Sequence, residues 1–324
     1  MTLKPHAAKH SLLRRLLGMA CLATLLIVQP VSAALHVGDQ SGLIQAMLHA
    51  AGEDKDLPDA LVWHPFNAGT TLLEALSAGA IDVGVVGNAP PIFAQAGGFD
   101  VRIIGVASGA QNNNALLLPE GSTIQQVADL KGKRVAVAKG TSGHYLLLAA
   151  LRQAGLTSRD VNIAYVSPVD AQNAFASGRL EAWSVWYPFV GQATSRGARI
   201  LVDGGPWPET GQNFTVASLK ALADPERAAQ AGDLLARLAR AQAWATAHPD
   251  AWAEVFAQTT RLPVALVRDM LAHQNLNYVP IDPAVIALQQ RLADTFATEH
   301  VIPRPLEVGQ IFDPRFNAVL PPPN

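Results

Sequence analysis

The chain has 324 residues, of which 49% are hydrophobic and 15% are charged, a composition typical of a globular protein with a sizeable core. Of its 24 basic residues, four lie in the first 33 positions, so the remainder has 20 basic residues against 26 acidic ones and a net charge near −6. That charge, together with the lack of a basic stripe in the sequence, argues against nucleic-acid binding.

The amino terminus has the pattern of a secretory signal peptide. The four basic residues precede an uncharged apolar run over 16–28, and the small residues Val31-Ser-Ala33 follow. We therefore expect export and removal of residues 1–33. Cys21 is the single cysteine and lies in the apolar run, and Gly18 stands where a lipoprotein signal usually has leucine, so we expect no lipid anchor. The mature chain then has no cysteine for disulfides, catalysis or metal binding.

Strands and helices alternate in the segment that follows. The apolar patterns predict four strands, at 35–38, 60–66, 81–86 and 99–106. Helices are predicted between the first three, an order typical of a parallel α/β sheet with right-handed crossovers. The pair Pro90-Pro91 after the third strand predicts a sharp corner in the chain.

The same order of elements recurs about one hundred residues later. Gly79 and the residues after it align without a gap with Gly178 and its successors, and Asp82 then pairs with Glu181. Two similar lobes that face one cleft are therefore predicted. Only two copies occur, whereas a solenoid usually needs at least three.

The chain after residue 214 is predicted to be mostly helical. Prolines open its helices, after Asp224 and at 249–260, 263–273 and 283–298. We expect these helices to pack on the first lobe. The predicted boundaries are therefore 34–116 with 214–324 for lobe 1, and 117–213 for lobe 2.

The loops that follow strands of both lobes should meet in the cleft. The candidate ligand-binding residues in these loops are Gln40, Ser41, Gly87, Asn88, Thr141, Ser142, Gly143, His144 and Trp186. Hydroxyls, amides and free N–H groups at helix starts favour a bound anion. The hydroxyl residues could equally be helix caps, the tryptophan a core residue and the histidine a packing residue. No catalytic triad, metal-ligand spacing or nucleotide-binding loop is legible, so a binding protein without catalytic residues, metal or cofactor is predicted.

Four segments carry a family resemblance: Gly87-Asn-Ala-Pro-Pro-Ile-Phe93, Asp129-Leu-Lys-Gly-Lys133, Lys139-Gly-Thr-Ser-Gly-His144 and Ala150-Leu-Arg-Gln-Ala-Gly-Leu156. Together they resemble the periplasmic alkanesulfonate-binding proteins of ABC importers, a group that includes taurine- and nitrate-binding proteins. The resemblance implies a type II periplasmic-binding-protein fold with a mainly parallel sheet flanked by helices in each lobe. It also implies a periplasmic monomer that delivers aliphatic sulfonates to a membrane permease for sulfur acquisition. Members often carry an acidic residue where this chain has Asn88.

Other functions stay open from the sequence. The same fold could bind taurine, nitrate, an aromatic sulfonate or a thiamine precursor, because loop residues do not define the volume of a pocket. A second class is an enzyme on this scaffold, such as a sulfinate desulfinase or a pyrimidine-precursor synthase. The desulfinase type uses a cysteine nucleophile, which the mature chain would lack. A third possibility is a sensor domain without a transporter.

Overall fold

A computed structural model describes residues 34–321, except positions 41, 56, 58–60, 67 and 110–111. The predicted signal peptide and its cleavage site lie outside the described residues, as does Ser41. Within the described ranges no helix has both the length and the apolar character needed to cross a bilayer.

The described residues form strands, α-helices and short 3-10 helices. The strands are β1 (Leu35–Gln40), β2 (Leu61–Phe66), β3 (Val83–Gly87), β4 (Val101–Ser108), β5 (Asn114–Leu118), β6 (Arg134–Val137), β7 (Asn162–Tyr165), β8 (Ala182–Trp186), β9 (Arg199–Asp203), β10 (Gln212–Ser218) and β11 (Asn277–Val279). The α-helices are α1 (Leu43–Ala51), α2 (Gly69–Ser77), α3 (Ala89–Ala96), α4 (Ser142–Gln153), α5 (Pro168–Ala176), α6 (Phe189–Thr194), α7 (Leu219–Ala223), α8 (Pro225–Ala247), α9 (Pro249–Thr260), α10 (Val264–Ala272) and α11 (Pro283–Thr298). Short 3-10 helices occupy Val127–Leu130, Ser158–Asp160, Pro208–Thr210, Val308–Ile311 and Pro314–Val319.

The strands form two sheets. The first has the order β11-β4-β10-β3-β1-β2 and the second the order β7-β6-β8-β5-β9. Strands β2, β1 and β3 are parallel, as are β7, β6 and β8, whereas the remaining pairs are antiparallel. The predicted two-lobed α/β architecture is confirmed, but each sheet is mixed. The reason is that β5 and β10 enter their sheets by crossing between the lobes, so each starts at the edge where the parallel strands end.

The predicted duplication is visible in matched backbone contacts. In the first copy, the Asp82 carboxylate accepts a hydrogen bond from the backbone N–H of His36 in β1, at 2.9 Å. In the second, the Glu181 carboxylate accepts one from the backbone N–H of Arg134 in β6, at 3.0 Å. Each carboxylate therefore ties the start of one parallel strand to the start of its neighbour.

Proline and aspartate set several helix starts. Pro90 and Pro91 lie in the first turn of α3, so the sharp corner predicted there is instead a helix start; a proline at such a position loses no intrahelical hydrogen bond. Asp224 caps α8 by accepting from the N–H groups of Glu226 and Arg227, at 2.9 and 3.3 Å. Helices α9 and α11 have the predicted bounds.

The helices after β10 contact both sheets. Strand β11 joins the first sheet and α8 packs on α1. On the side of the second sheet, the ring of Phe296 in α11 meets that of Tyr145 in α4 edge-on, with centroids 6.5 Å apart. The Tyr187 hydroxyl after β8 donates to Asp269 of α10 at 3.1 Å. The predicted lobe boundaries therefore stay a prediction, because the carboxyl-terminal segment is shared between the lobes.

The matched pair Asp82 and Glu181 gives a test of burial. Asp82 is 3% exposed and also accepts from the Arg227 guanidinium at 2.7 Å, whereas Glu181 is exposed. We expect Asp82→Asn to lower the free energy of unfolding by about 2–4 kcal/mol, because it leaves buried groups poorly paired. Glu181→Gln should lower it by less than about 1 kcal/mol. Urea denaturation of both variants measures this, and equal losses would contradict the argument.

Candidate ligand-binding cleft

A cleft of about 1380 Å³ lies between the two sheets. The carboxyl ends of β1 and β3 border it on one side, and those of β6 and β8 on the other. Six of the nine candidate residues line it: Gln40, Gly87, Asn88, Thr141, Ser142 and Trp186. Ser41 lies outside the described residues, and Gly143 and His144 do not line the cleft. The four loops predicted to converge therefore do so, although not every residue in them faces the cleft.

Seven helices begin at this cleft, among them α1, α2, α3 and α4. The first residue of each of these four, Leu43 in α1, Gly69 in α2, Ala89 in α3 and Ser142 in α4, lies in the cleft lining. A helix start carries a partial positive charge from its unpaired N–H groups and its dipole. Four such starts directed at one cleft favour a negatively charged ligand.

Two of these helix starts are occupied by side-chain caps. The Asp39 carboxylate accepts from the N–H groups of Ile44 and Gln45 in α1, both at 3.1 Å. Burial raises the pKa of Asp39, while these hydrogen bonds oppose that shift. In α4, the Thr141 hydroxyl accepts from the N–H of His144 at 3.2 Å and donates to the Ala138 carbonyl at 2.7 Å. Thr141 is thus a helix cap in this structure.

The start of α2 has no side-chain cap, because its first flanking residue is Ala68. The N–H groups of Gly69 and Thr70 therefore have no intrahelical partner, and both residues line the cleft. A Cβ atom on Gly69 would lie 3.2 Å from Pro90 Cγ, so a larger residue would crowd this position. The sequence analysis missed these two residues. The rule that a helix start follows each parallel strand would have found them.

Several predicted donors already donate to the protein. The Gln40 side-chain amide donates to the Val85 carbonyl at 2.8 Å, and the Ser142 hydroxyl donates to Asn114 Oδ1 at 2.7 Å. Asn88 is 1% exposed, and its side-chain amide donates to the Glu209 carbonyl. Asn88 therefore fixes the cleft wall to the segment that crosses between the lobes.

His144 is fully buried rather than exposed to the cleft. Its Nδ1 accepts from the Gly140 N–H at 3.3 Å, Nε2 lies 3.4 Å from the Tyr165 hydroxyl, and its ring packs on Phe296 at 5.6 Å. Burial lowers the pKa of His144 to about 4, with a smaller contribution from the Lys139 charge. The side chain is therefore neutral at pH 7. His144 therefore has the packing role that the sequence left open, and this corrects its prediction as a ligand-binding residue.

The charged side chains that line the cleft are Lys139, Asp250 and Arg268. Arg268 pairs with Asp250 at 2.9 Å and with Glu254 at 3.0 Å, so its charge is largely neutralised. Lys139 forms no ion pair with a carboxylate in the described part of the chain, and its Nζ lies 5.8 Å from the Tyr165 ring centroid. The described part of the chain contains no group of three or more His, Cys, Asp or Glu side chains that could hold a metal ion.

Aromatic side chains form one wall of the cleft. Trp186 meets Phe189 edge-on with centroids 6.2 Å apart, and Trp252 meets Phe256 at 5.5 Å. All four line the cleft together with Met270. The cleft therefore combines a polar, positively polarised edge with an apolar wall, which is the common composition of a small-molecule site.

Comparison with known proteins assigns the chain to a family. Residues 63–252 match the family described as NMT1/THI5 like. A protein of Escherichia coli strain K12 named as an aliphatic sulfonates-binding protein is 36% identical over 301 residues, which cover 91% of this chain and 93% of that protein. The chain belongs to the NMT1/THI5-like family.

Solved structures agree with this family and with the fold. The periplasmic aliphatic sulphonate binding protein SsuA from Escherichia coli has a TM-score of 0.79 and 36% identity, covering 87% of this chain and 92% of its own. The alkanesulfonate-binding protein SsuA from Xanthomonas axonopodis pv. citri, solved bound to MOPS, has a TM-score of 0.76 and 34% identity, covering 87% and 98%. The predicted periplasmic-binding-protein fold is thereby confirmed.

The same fold also occurs in an enzyme. The desulfurization enzyme DszB has a TM-score of 0.65 but only 19% identity, with 89% of this chain and 98% of that one covered. At that identity the likeness is one of fold alone, so it does not carry the enzyme's chemistry to this chain.

The buried His144 gives a pH prediction. Histidine in the unfolded chain titrates near 6.5, so between about pH 6.5 and 4 the unfolded state takes up a proton that the folded state refuses. The free energy of unfolding should therefore decrease as the pH is lowered through this window, by about 2–3 kcal/mol between pH 7 and pH 4.5. In urea denaturation at the two pH values, the loss of unfolding free energy in His144→Gln should be smaller than the wild-type loss by that amount. An unchanged loss in His144→Gln would contradict the prediction.

Proposed function

We propose that this protein captures an aliphatic sulfonate in the periplasm and delivers it to the permease of an ABC importer for sulfur acquisition. The observation that carries this proposal is the convergence of helix starts on the cleft, in a chain 36% identical to an aliphatic sulfonate-binding protein. The predicted signal peptide and the periplasmic location of related proteins support export. We further propose that the protein acts as a monomer.

A sulfonate fits this cleft for electrostatic reasons. It is ionised at physiological pH, and its three oxygens only accept hydrogen bonds, so its partners must be donors. We place the head group at the uncapped start of α2, near Gly69 and Thr70, and at the facing start of α4, near Ser142. Lys139 supplies the positive charge. Hydrogen bonds to a charged group contribute about 1.5–3 kcal/mol each, so three of them at the upper end of this range correspond to about micromolar affinity.

The other predicted residues have supporting roles in this proposal. Gln40 and Asn88 hold the polar edge of the first sheet in place through their contacts with the backbone. Gly87 ends β3 at the cleft, and Gly143 lets α4 approach β8, where an added Cβ would lie 3.2 Å from the Ser184 carbonyl. Thr141 fixes the start of α4. The head group therefore meets a rigid surface.

Binding without chemistry is the simplest account of this site. The related proteins at 34–36% identity are named as binding proteins. The one cysteine of the chain, Cys21, lies in the predicted signal peptide, so a cysteine nucleophile would be absent from the mature protein. We propose that the ligand leaves the cleft unchanged.

A thermal-shift panel tests the proposed function. The purified protein is heated with aliphatic sulfonates, an aromatic sulfonate, taurine, sulfate and nitrate, one at a time. A ligand at one hundred times its dissociation constant should stabilise the fold by about 2.7 kcal/mol. Stabilisation by nitrate or sulfate alone would contradict the proposed ligand class. Mass spectrometry of the recovered ligand separates binding from catalysis, since a converted ligand would favour the enzyme.

Lys139 should contribute to binding through its charge. We expect Lys139→Gln to weaken the binding of every sulfonate by about three- to tenfold at low salt, and by less at high salt, because this exposed charge is screened. The matched control is Lys133→Gln, which removes an exposed charge outside the cleft lining. Titration calorimetry at two salt concentrations measures both variants, and equal effects would contradict a specific role for Lys139.

Trp186 should contribute to binding of the ligand's tail. We expect Trp186→Ala to weaken a long-chain or ring-bearing sulfonate by about tenfold and ethanesulfonate by little, because only the larger tail reaches the apolar wall. The structure of the Xanthomonas relative with MOPS, a sulfonate that carries a morpholine ring, supports room for such a tail. The control is Trp244→Ala, outside the cleft lining. Calorimetric affinity ratios that stay unchanged in Trp186→Ala would place the tail elsewhere.

A further inference from the structure

A buried amide without a partner lies at the polar edge of the cleft. Gln212 is the first residue of β10, and the register that pairs Asn213 with Gly87 places it beside Asn88. It lines the cleft and is only 2% exposed. In the described part of the chain, neither its Nε2 nor its Oε1 has a hydrogen-bond partner. Buried polar atoms almost always have partners, so this side chain calls for a specific explanation.

Several other amides in the cleft lining are already engaged with the protein. Besides Gln40 and Asn88, Gln274 donates to Asn113 at 2.8 Å, and Gln192 accepts from Gln172 at 2.7 Å. These contacts hold loops together and leave less capacity for a ligand. Gln212 combines burial with a full unused set of donors and an acceptor, which is the arrangement expected of a group that recognises a ligand.

The location of Gln212 brings it near the proposed head-group site. Strand β10 is the neighbour of β3, about 4.8 Å away, and α2 packs on β3, with Gly69 close to Val86. The start of α2 and the start of β10 therefore lie at the same end of β3. When the sulfonate of a ligand lies at the start of α2, its first carbon atoms lie close to the start of β10.

The chemistry of an amide defines what this ligand group must be. A sulfonate oxygen can accept from Nε2 but cannot donate to Oε1, so a plain alkanesulfonate leaves the carbonyl oxygen unpaired. A hydroxyl group can donate to Oε1. An ammonium group could also donate, but the one carboxylate among the described lining residues, Asp250, is bound to Arg268, so no free carboxylate balances a second positive charge.

We infer that Gln212 recognises a hydroxyl group on the ligand, so that the protein selects hydroxyalkanesulfonates over unsubstituted alkanesulfonates. This inference rests on the proposed function, because it assumes that the sulfonate occupies the cleft. The selectivity comes from the unpaired carbonyl oxygen that an unsubstituted ligand leaves buried. One hydrogen bond of this kind corresponds to about a tenfold difference in affinity.

Titration calorimetry with three ligands of equal length tests the inference: ethanesulfonate, 2-hydroxyethanesulfonate and 2-aminoethanesulfonate. The wild-type protein should bind the hydroxy ligand about tenfold more tightly than the other two. Gln212→Met, which keeps the side chain's length and removes its polar atoms, should bind ethanesulfonate within about threefold of wild type and lose the preference. The control is Gln95→Met. Gln95 also has a buried oxygen without a partner in the described chain but lies outside the cleft lining, and its variant should keep the preference.

The outcomes separate the two proposals. If no sulfonate binds the wild type, the proposed function fails. If all three ligands bind equally, or if the preference survives in Gln212→Met, the inference about Gln212 fails while the proposed function stands, and a fixed water is then the partner of the amide. A preference for the amino ligand would overturn the assignment to a hydroxyl. Should Gln212→Met not fold, the wild-type affinity ratio alone decides.

Discussion

Parallel strand pairs determine where this protein can hold a ligand. A parallel strand ends at the same sheet edge as its neighbour, and the helix that follows begins there, so β1, β2, β3 and β6 are followed by helix starts at one cleft. Those starts carry partial positive charge without adding formal charge. An anion at these starts is therefore compatible with a net charge near −6 over residues 34–324. The local field at the cleft, rather than the total charge, decides what binds.

The fold could be predicted to the extent that it follows local patterns. Apolar runs, prolines and the internal duplication predicted the parallel strands and most helices, and six of the nine candidate residues line the cleft. The antiparallel strands β9, β10 and β11 were missed, because their places in the sheets are set by tertiary pairing rather than by a repeating local pattern. Gln212 was missed with them, since the amino end of an antiparallel strand lies at the cleft edge where only carboxyl ends were expected.

The roles of individual site residues were harder to predict than their location. Residue type does not tell whether a donor is already used, as Thr141 and Asn88 show through their contacts with the backbone. The direction in which a side chain points from its helix axis also decides whether it reaches the cleft. Successive residues turn by about 100°, so His144 lies about 200° from Ser142 and points away from the cleft when Ser142 faces it. The sequence contains the helix, but its rotation depends on packing against α11.

The carboxyl-terminal helices have a consequence for how the ligand enters and leaves. They join the two lobes on separate surfaces, through Phe296 against Tyr145 and through Asp269 against Tyr187. A free hinge at the two crossings would have to break both contacts. Any movement of one sheet relative to the other must therefore repack α10 and α11 against the second sheet. Residues far from the cleft thus help to set the relative position of its two sides.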